Sequence, residues 1–287
     1  MKKRWVLGIG AAVLLVLVVA GVRTYREMRA MGFLREPVYE TVRPELPALT
    51  KPAMLVFSKT NGFIHKEGIP AAQEMLKGIA ERAGMAIYLT DNGAVHNDED
   101  LSKFDLIVWN NVSGDVLTPD QRAALKKYLE TGGGFVGLHA SGGDFSYDWQ
   151  WYPQSLIKAQ FIGHPTDPQF QTATMHIEAT HDPIVAHLGD SWVREDEWYS
   201  FAQSPRKAGV EVLATLDEST YEPKFMWKSV RMGADHPVIW KHCLGSGRVF
   251  YSALGHNADS YRDPKYIELV ARAIGWAAGT EGSGCSQ

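Results

Sequence analysis

The chain has 287 residues, 45% of them hydrophobic and 22% charged, an ordinary globular composition that excludes a low-complexity chain, and its two cysteines exclude a disulfide framework. Six of the 29 basic residues but only one of the 33 acidic ones fall in the first thirty positions, so the remainder is more acidic than the overall net charge of −4 suggests. Such a body has no electrostatic footprint for nucleic acid or anionic lipid, and suits neutral small molecules or proteins as partners.

Trp5 to Val22 is an uncharged apolar run preceded by Lys2, Lys3 and Arg4, long enough to cross a bilayer core. Val18-Val19-Ala20 before Gly21 offers a cleavage site, but the run exceeds a usual secretory h-region and Arg23, Arg26 and Arg29 follow it. The expectation is an uncleaved signal anchor over residues 1–29, a single transmembrane helix with the folded domain outside the cytoplasm, periplasmic or extracellular. Pro37, Pro44, Pro47 and Pro52 make residues 30–52 an extended linker, a stalk reaching up to roughly 70 Å at about 3.1 Å per residue. One folded domain is expected over 53–279, with a flexible tail at 280–287.

Within the domain, Ala53 to Ser58 reads as a buried strand entering a polar loop. Ile69, Ala72, Met75, Leu76, Ile79 and Ala83 fall on one face of a helix that Pro70 opens and Gly84 stops. Strands follow at Ala86–Leu89 and Asp105–Trp109, then a helix over Pro119–Glu130 capped by Thr118. Glycines turn the chain into a strand over Phe135–His139, and Ala140-Ser141-Gly142-Gly143 turns it again. Apolar strands alternating with single helices give a parallel sheet covered on both faces. The second half is richer in strands: Thr172–Glu178, Asp196–Phe201, Val210–Leu216, Val238–His242 and Arg248–Leu254, before a last helix over Tyr266–Ala278.

The carboxyl ends of parallel strands are where ligands bind in open α/β sheets. Loops there carry His65, Asn111, Asp115, His139 and Ser141, which could face one cleft. Each has a bland alternative: a core histidine for His139, a turn aspartate for Asp115, an asparagine bonding its own turn for Asn111. The stretch from Asp144 to Tyr152 crowds aromatic residues beside carboxylates, so Trp149 and Trp151 are either a sugar-stacking platform or a structural lid. In Asp196-Glu197-Trp198-Tyr199, Glu197 and Tyr199 share a strand face, and a carboxylate among aromatic groups suits acid/base work; pairing with arginine at a sheet edge is the alternative. His236 and His256 lie at further strand boundaries, His256 following a glycine. Glu197, His139 and His256 could form a zinc-type divalent set, though no H-E-x-x-H or paired-cysteine spacing supports it. Cys243 and Cys285 are read as free thiols, the tail being too loose to need a bridge, with a disulfide as the alternative for an exported body.

The segments G-G-G-F-V-G-L-H-A, F-S-K-T-N-G-F-I-H, S-G-D-V-L-T-P-D-Q, D-E-W-Y, L-A-T-L-D-E-S-T-Y, M-G-A-D-H-P-V-I-W and Y-S-A-L-G-H-N-A-D-S-Y occur in order over 53–279. Together they resemble the trehalose-utilisation (ThuA-like) family. The resemblance implies a flavodoxin-like, class I glutamine-amidotransferase-like three-layer sandwich with a mostly parallel central sheet, and a role in carbohydrate metabolism on a glycoside or keto-disaccharide. It places His65, Asp115, His139, Glu197, Tyr199, His236 and His256 at motif positions without assigning their roles. Amidotransferase relatives carry a nucleophilic cysteine in the turn where His139 stands, so glutaminase chemistry is disfavoured. Two readings follow. One is an enzyme in which His139, Glu197 and Asp115 act on a sugar held by His65, Asn111, Ser141, Trp149, Trp151, Tyr199 and His236, with acid/base or metal-assisted chemistry. The other is a non-catalytic sugar-binding module serving a sugar dehydrogenase or transporter.

Overall fold

A computed structural model of the protein describes residues 2–282 and 285, with side chains from residue 14 onward. Among the described residues are five α-helices, α1 (Lys2–Ala30), α2 (Gly68–Ala83), α3 (Asp98–Leu101), α4 (Pro119–Glu130) and α5 (Pro264–Ala277), and thirteen strands. The main sheet contains β1 (Ala53–Phe57), β2 (Ala86–Thr90), β3 (Leu106–Asn110), β4 (Gly134–Leu138), β6 (Gln171–Ile177), β7 (Ser191–Asp196), β9 (Glu211–Leu216), β12 (Pro237–Leu244) and β13 (Gly247–Ser252). Two small pairs stand apart from it: β5 (Phe161–Gly163) with β8 (Ser200–Phe201), and β10 (Lys224–Phe225) with β11 (Lys228–Ser229).

The main sheet runs β2-β1-β3-β4-β13-β12-β9-β6-β7. From β2 to β13 every pairing is parallel, and from β13 to β7 every pairing is antiparallel. Residues in β1, β3 and β4 are buried throughout, as strands covered on both faces must be. Right-handed crossovers that run in opposite directions along the sheet, from β1 to β2 and from β3 to β4, put α2 on one face and α4 on the other. Accordingly α2 packs with α5, and α3 packs with α4. Helix α2 ends at Gly84 in the left-handed conformation, and Thr118 and Gln121 form a reciprocal capping box at the start of α4.

Three expectations change. Residues 35–52 form no free stalk but lie along the domain: Arg43 pairs with Glu99 and Asp100, Glu40 pairs with Lys59, and Leu46 and Leu49 pack on the core. Prolines keep this segment extended, while its charged and apolar side chains tie it down. Cys243 and Cys285 are not free thiols but form a disulfide, because Cys243 points outward from β12 where the tail passes after α5. Glu197 follows strand β7 instead of lying within a strand, so the paired stretch is Ser191–Asp196. Helix α1 covers the expected anchor, but among the described residues no helix is long and apolar enough to cross a membrane. The side chains of the first part of that run, residues 5–13, lie outside those described.

Candidate metal centre

Three of the loops leaving the parallel strands deliver a histidine to one point. His65 comes from the loop after β1, His139 directly follows β4, and His256 lies beyond β13. Glu197, just past β7, completes the group. One ligand atom from each of these four residues lies within 4.8 Å of all the others. Imidazole centroids are 4.8 Å apart for His65 and His139, 4.6 Å for His65 and His256, and 5.4 Å for His139 and His256.

His139 opens a tight turn over residues 139–142 with a φ of 46°, the left-handed region a β-carbon resists. The strand-to-turn elbow expected from the glycines is therefore present, and it carries imidazole. Its Nδ1 donates to the Ala253 carbonyl at 2.7 Å, which turns Nε2 toward Glu197 Oε2, 3.3 Å away. Nε2 of His139 and Nδ1 of His65 are buried without a hydrogen-bond partner. Burial, and then the neighbouring His139 and His256, hold the His65 pKa well below the usual imidazole value. Burial alone would raise the Glu197 carboxyl, but His139, His256 and His164 outweigh it and keep Glu197 ionised, well below the usual carboxylate range.

Glu197 is buried and held at both oxygens. His256 Nδ1 lies 3.0 Å from Oε2; Gln169 Nε2 donates to Oε1, and His164 Nδ1 lies 3.1 Å from the same atom. The Asp196 carboxylate accepts from Arg194, Ser260 and the backbone N–H groups of Glu197, Gly255 and His256. One buried aspartate thus fixes both loops that bear Glu197 and His256. Tyr199 stacks on His139, and a β-carbon on Gly143 would meet its ring at 2.7 Å, so the ring fits only because glycine is there.

Three imidazoles and one carboxylate, all buried or nearly so, form a nitrogen and oxygen set of the kind that holds zinc or another first-row divalent ion. Among the described residues, His65 Nδ1 has no hydrogen-bond partner and His139 Nε2 makes no hydrogen bond, with Glu197 3.3 Å away. Buried polar atoms are ordinarily satisfied, so these residues fit a metal ion.

A cavity of about 540 Å³ opens beside His65 and His256 and is lined also by Met31, Phe63, Phe170 and Arg262. Phe63 and Phe170 flank His256, with centroids 6.1 and 5.1 Å from its ring. This volume lies within the range of small-molecule sites.

Of the residues expected from the sequence, His65, His139, Glu197 and His256 converge here, and Tyr199 and His236 support them; His236 Nε2 donates to the Tyr199 carbonyl at 2.8 Å. The others lie elsewhere. Asp115 pairs with Arg122 and accepts from the Asp148 N–H, Ser141 donates to the Trp109 carbonyl, and Asn111 donates to Asn110 and Tyr261. Trp149 stacks on Trp151, close to Arg122 and Lys126 of α4. Trp149 lines a separate cavity of about 20 Å³, room for water but not for a sugar. His164, Gln169, Phe63, Phe170 and Asp196 were not anticipated. Gly163-His164 repeats the Gly255-His256 pattern and was the one available signal; nothing in the sequence distinguished the others.

Among solved structures, a ThuA-like protein from Bacteroides uniformis superposes with a TM-score of 0.68 at 23% identity, over 82% of this chain and 95% of that one. A second, from Parabacteroides merdae, gives 0.61 at 17% identity, over 82% and 92%. These likenesses concern the fold. A search of the curated proteins gives no match. The sequence profile of ThuA, described as trehalose utilisation, matches residues 53–277, and the chain belongs to that family.

Proposed function

We propose that the protein is a carbohydrate-active enzyme that acts on a glycoside or keto-disaccharide with the help of a divalent metal ion held by His65, His139, Glu197 and His256. The observation that supports this reading is the convergence of one ligand atom from each of these four residues within 4.8 Å, three of them buried, with His65 Nδ1 and His139 Nε2 lacking a hydrogen bond among the described residues. A bound divalent ion supplies Lewis-acid polarisation of a sugar oxygen. The chain's own residues do the rest. Phe170, 5.1 Å from the His256 ring, offers an aromatic face to the C–H surface of a sugar ring, and Asn257 and Asp259 line the same cavity as hydroxyl partners. His164, whose Nδ1 lies 3.1 Å from Glu197 Oε1 and whose burial holds its pKa below the usual imidazole value, is the group beside the ligand set assigned to accept a proton from substrate and return it. Membership of a trehalose-utilisation family supports a sugar as substrate.

The uncharged run at 5–22 and the Cys243–Cys285 bridge support a single-pass anchor with the domain outside the cytoplasm, since disulfides persist in oxidising compartments. The test is metal analysis of the purified chain joined to a turnover screen of disaccharides and their 3-keto forms. About one transition-metal ion per chain is expected, lost in His139→Ala and Glu197→Gln together with turnover. A metal-free chain whose activity ignores chelators would defeat the metal reading. Binding of a disaccharide without turnover would favour an accessory sugar-binding module.

A further inference from the structure

The segment that follows helix α1 reaches the wall of the cavity through Met31. Met31 lines it together with His65 and His256, although it lies twenty-two positions before the family's domain begins. Its placement is over-determined. The Met31 carbonyl accepts from the Ile64 N–H at 2.9 Å, on the loop that carries His65. Arg35 spans the same contact, donating to the carbonyls of Gly32, Thr60 and Gly62 at 3.0 to 3.1 Å. Gly32 has a φ of +101° and approaches so closely that a β-carbon there would come 2.0 Å from the Gly62 carbonyl oxygen. Phe33 packs on Phe63 with ring centroids 5.8 Å apart, and Phe63 in turn meets the His65 ring edge-on at 4.8 Å.

A docked segment of this kind adds apolar surface at a particular place. Met31, Phe63, Ile64 and Phe170 form the apolar part of the lining, next to the metal ligands, while Lys66, Glu67, Asp259 and Arg262 supply its charged part. A sugar ring reaching His65 and His256 would leave its aglycone against Met31 and Phe63.

We infer that the Met31–Arg35 segment is a specificity element of this chain, selecting a glycoside with an apolar, aryl aglycone over one whose aglycone is small or polar. This rests on the reading of the cavity as a sugar site. It concerns binding only and requires no chemistry beyond that reading.

The experiment measures binding of methyl and phenyl glucosides, in both anomeric forms, to the metal-loaded full chain by calorimetry. Wild type is compared with Met31→Ser and Arg35→Ala. Met31 is 38% exposed, so its replacement leaves the core packing intact. The expected result is a phenyl glucoside bound about tenfold more tightly than its methyl counterpart, as burial of one aromatic face allows. That preference should shrink to within about twofold in Met31→Ser, with metal content unchanged, and in Arg35→Ala. Equal affinities in wild type, or an undiminished preference in Met31→Ser, overturn this inference and leave the sugar site standing. Failure of every glucoside to bind overturns both.

Discussion

The phenol ring of Tyr199 lies stacked on the imidazole of His139, with centroids 4.3 Å apart and planes 29° from parallel. The backbone of Tyr199 is held in turn by His236, whose other ring nitrogen lies 2.8 Å from Glu218. The ligand nearest the elbow is therefore braced from the side as well as through its own Nδ1. Tyr199→Ala should cost about 3–5 kcal/mol of stability through the cavity it leaves. It should also weaken metal binding by about 10- to 100-fold, the usual loss when a ligand's support is removed. Tyr199→Phe, which keeps the stack, should change metal affinity little. Urea unfolding and chelator competition measure the two effects; equal metal affinity in the alanine variant would show that His139 needs no such brace.

Asp196 offers a second way to disturb the centre without touching a ligand. Its carboxylate gathers five donors from β7 and the 255–260 loop, so Asp196→Asn turns one acceptor oxygen into a donor among donors. A loss of metal affinity of about 10- to 100-fold is expected, read by competition with a coloured chelator. Unchanged affinity in a folded Asp196→Asn protein would mean that Glu197 and His256 are placed by other contacts.

A proton carried by His164 should be visible in the pH profile of kcat/KM. As the base it must be unprotonated, so activity should fall as pH drops through a value below the free imidazole's 6.5. His164→Gln should lower the rate by about 10²- to 10⁴-fold and abolish that acid limb, while metal content is retained. An acid limb that survives in His164→Gln would assign it to another group.

Asp144 predicts a pH dependence of stability with a definite sign. Burial pushes its pKa up to about 7 in the folded protein against 3.8 for the free carboxyl. Between these values the native state binds the extra proton, so this group's contribution makes the protein less stable as pH rises from about 4 to about 7. Asp144→Asn, which can still accept from the Gly114 N–H, should remove that slope and raise stability at pH 8 by up to about 4 kcal/mol. Denaturant unfolding at pH 5 and pH 8 decides it; a variant whose gain is the same at both values would show that Asp144 does not titrate in this window.

The parallel half of the fold was legible because its signals are local: apolar runs closed by polar or glycine turns, and helices opened at Pro70 or Thr118 and, for α2, stopped at Gly84. The same signals marked His139 and His256, each at the end of a strand beside small residues. Glu197 was singled out for its aromatic neighbours, although the strand it was placed in stops one residue earlier. The aromatic-rich stretch at 144–152 misled because crowding says nothing about direction, and Trp149 and Trp151 face α4. Phe63 and Phe170 sit singly in polar loops, where nothing separates a site wall from an ordinary exposed ring. Residues 30–52 read as a stalk because proline reports extension, while docking depends on partners such as Gly62 and Glu99 that are remote in sequence. The disulfide was missed for a similar reason, since Cys285 meets Cys243 only after α5 has returned to the sheet.

The pairing of β4 with β13 bears on how the molecule comes together. His139 and the Ala253 carbonyl that orients it are 114 residues apart, and Tyr251 donates to the His139 carbonyl across the same seam. Contacts that distant are closed late, because a long stretch of chain must be immobilised before they return any stabilisation. The β12–β13 hairpin and the β1-α2-β2 unit can each form from neighbouring sequence, but neither contains a complete ligand set. Tight metal uptake during refolding would therefore time the closure of this seam, and a chain halted before it would have strands and helices yet no centre.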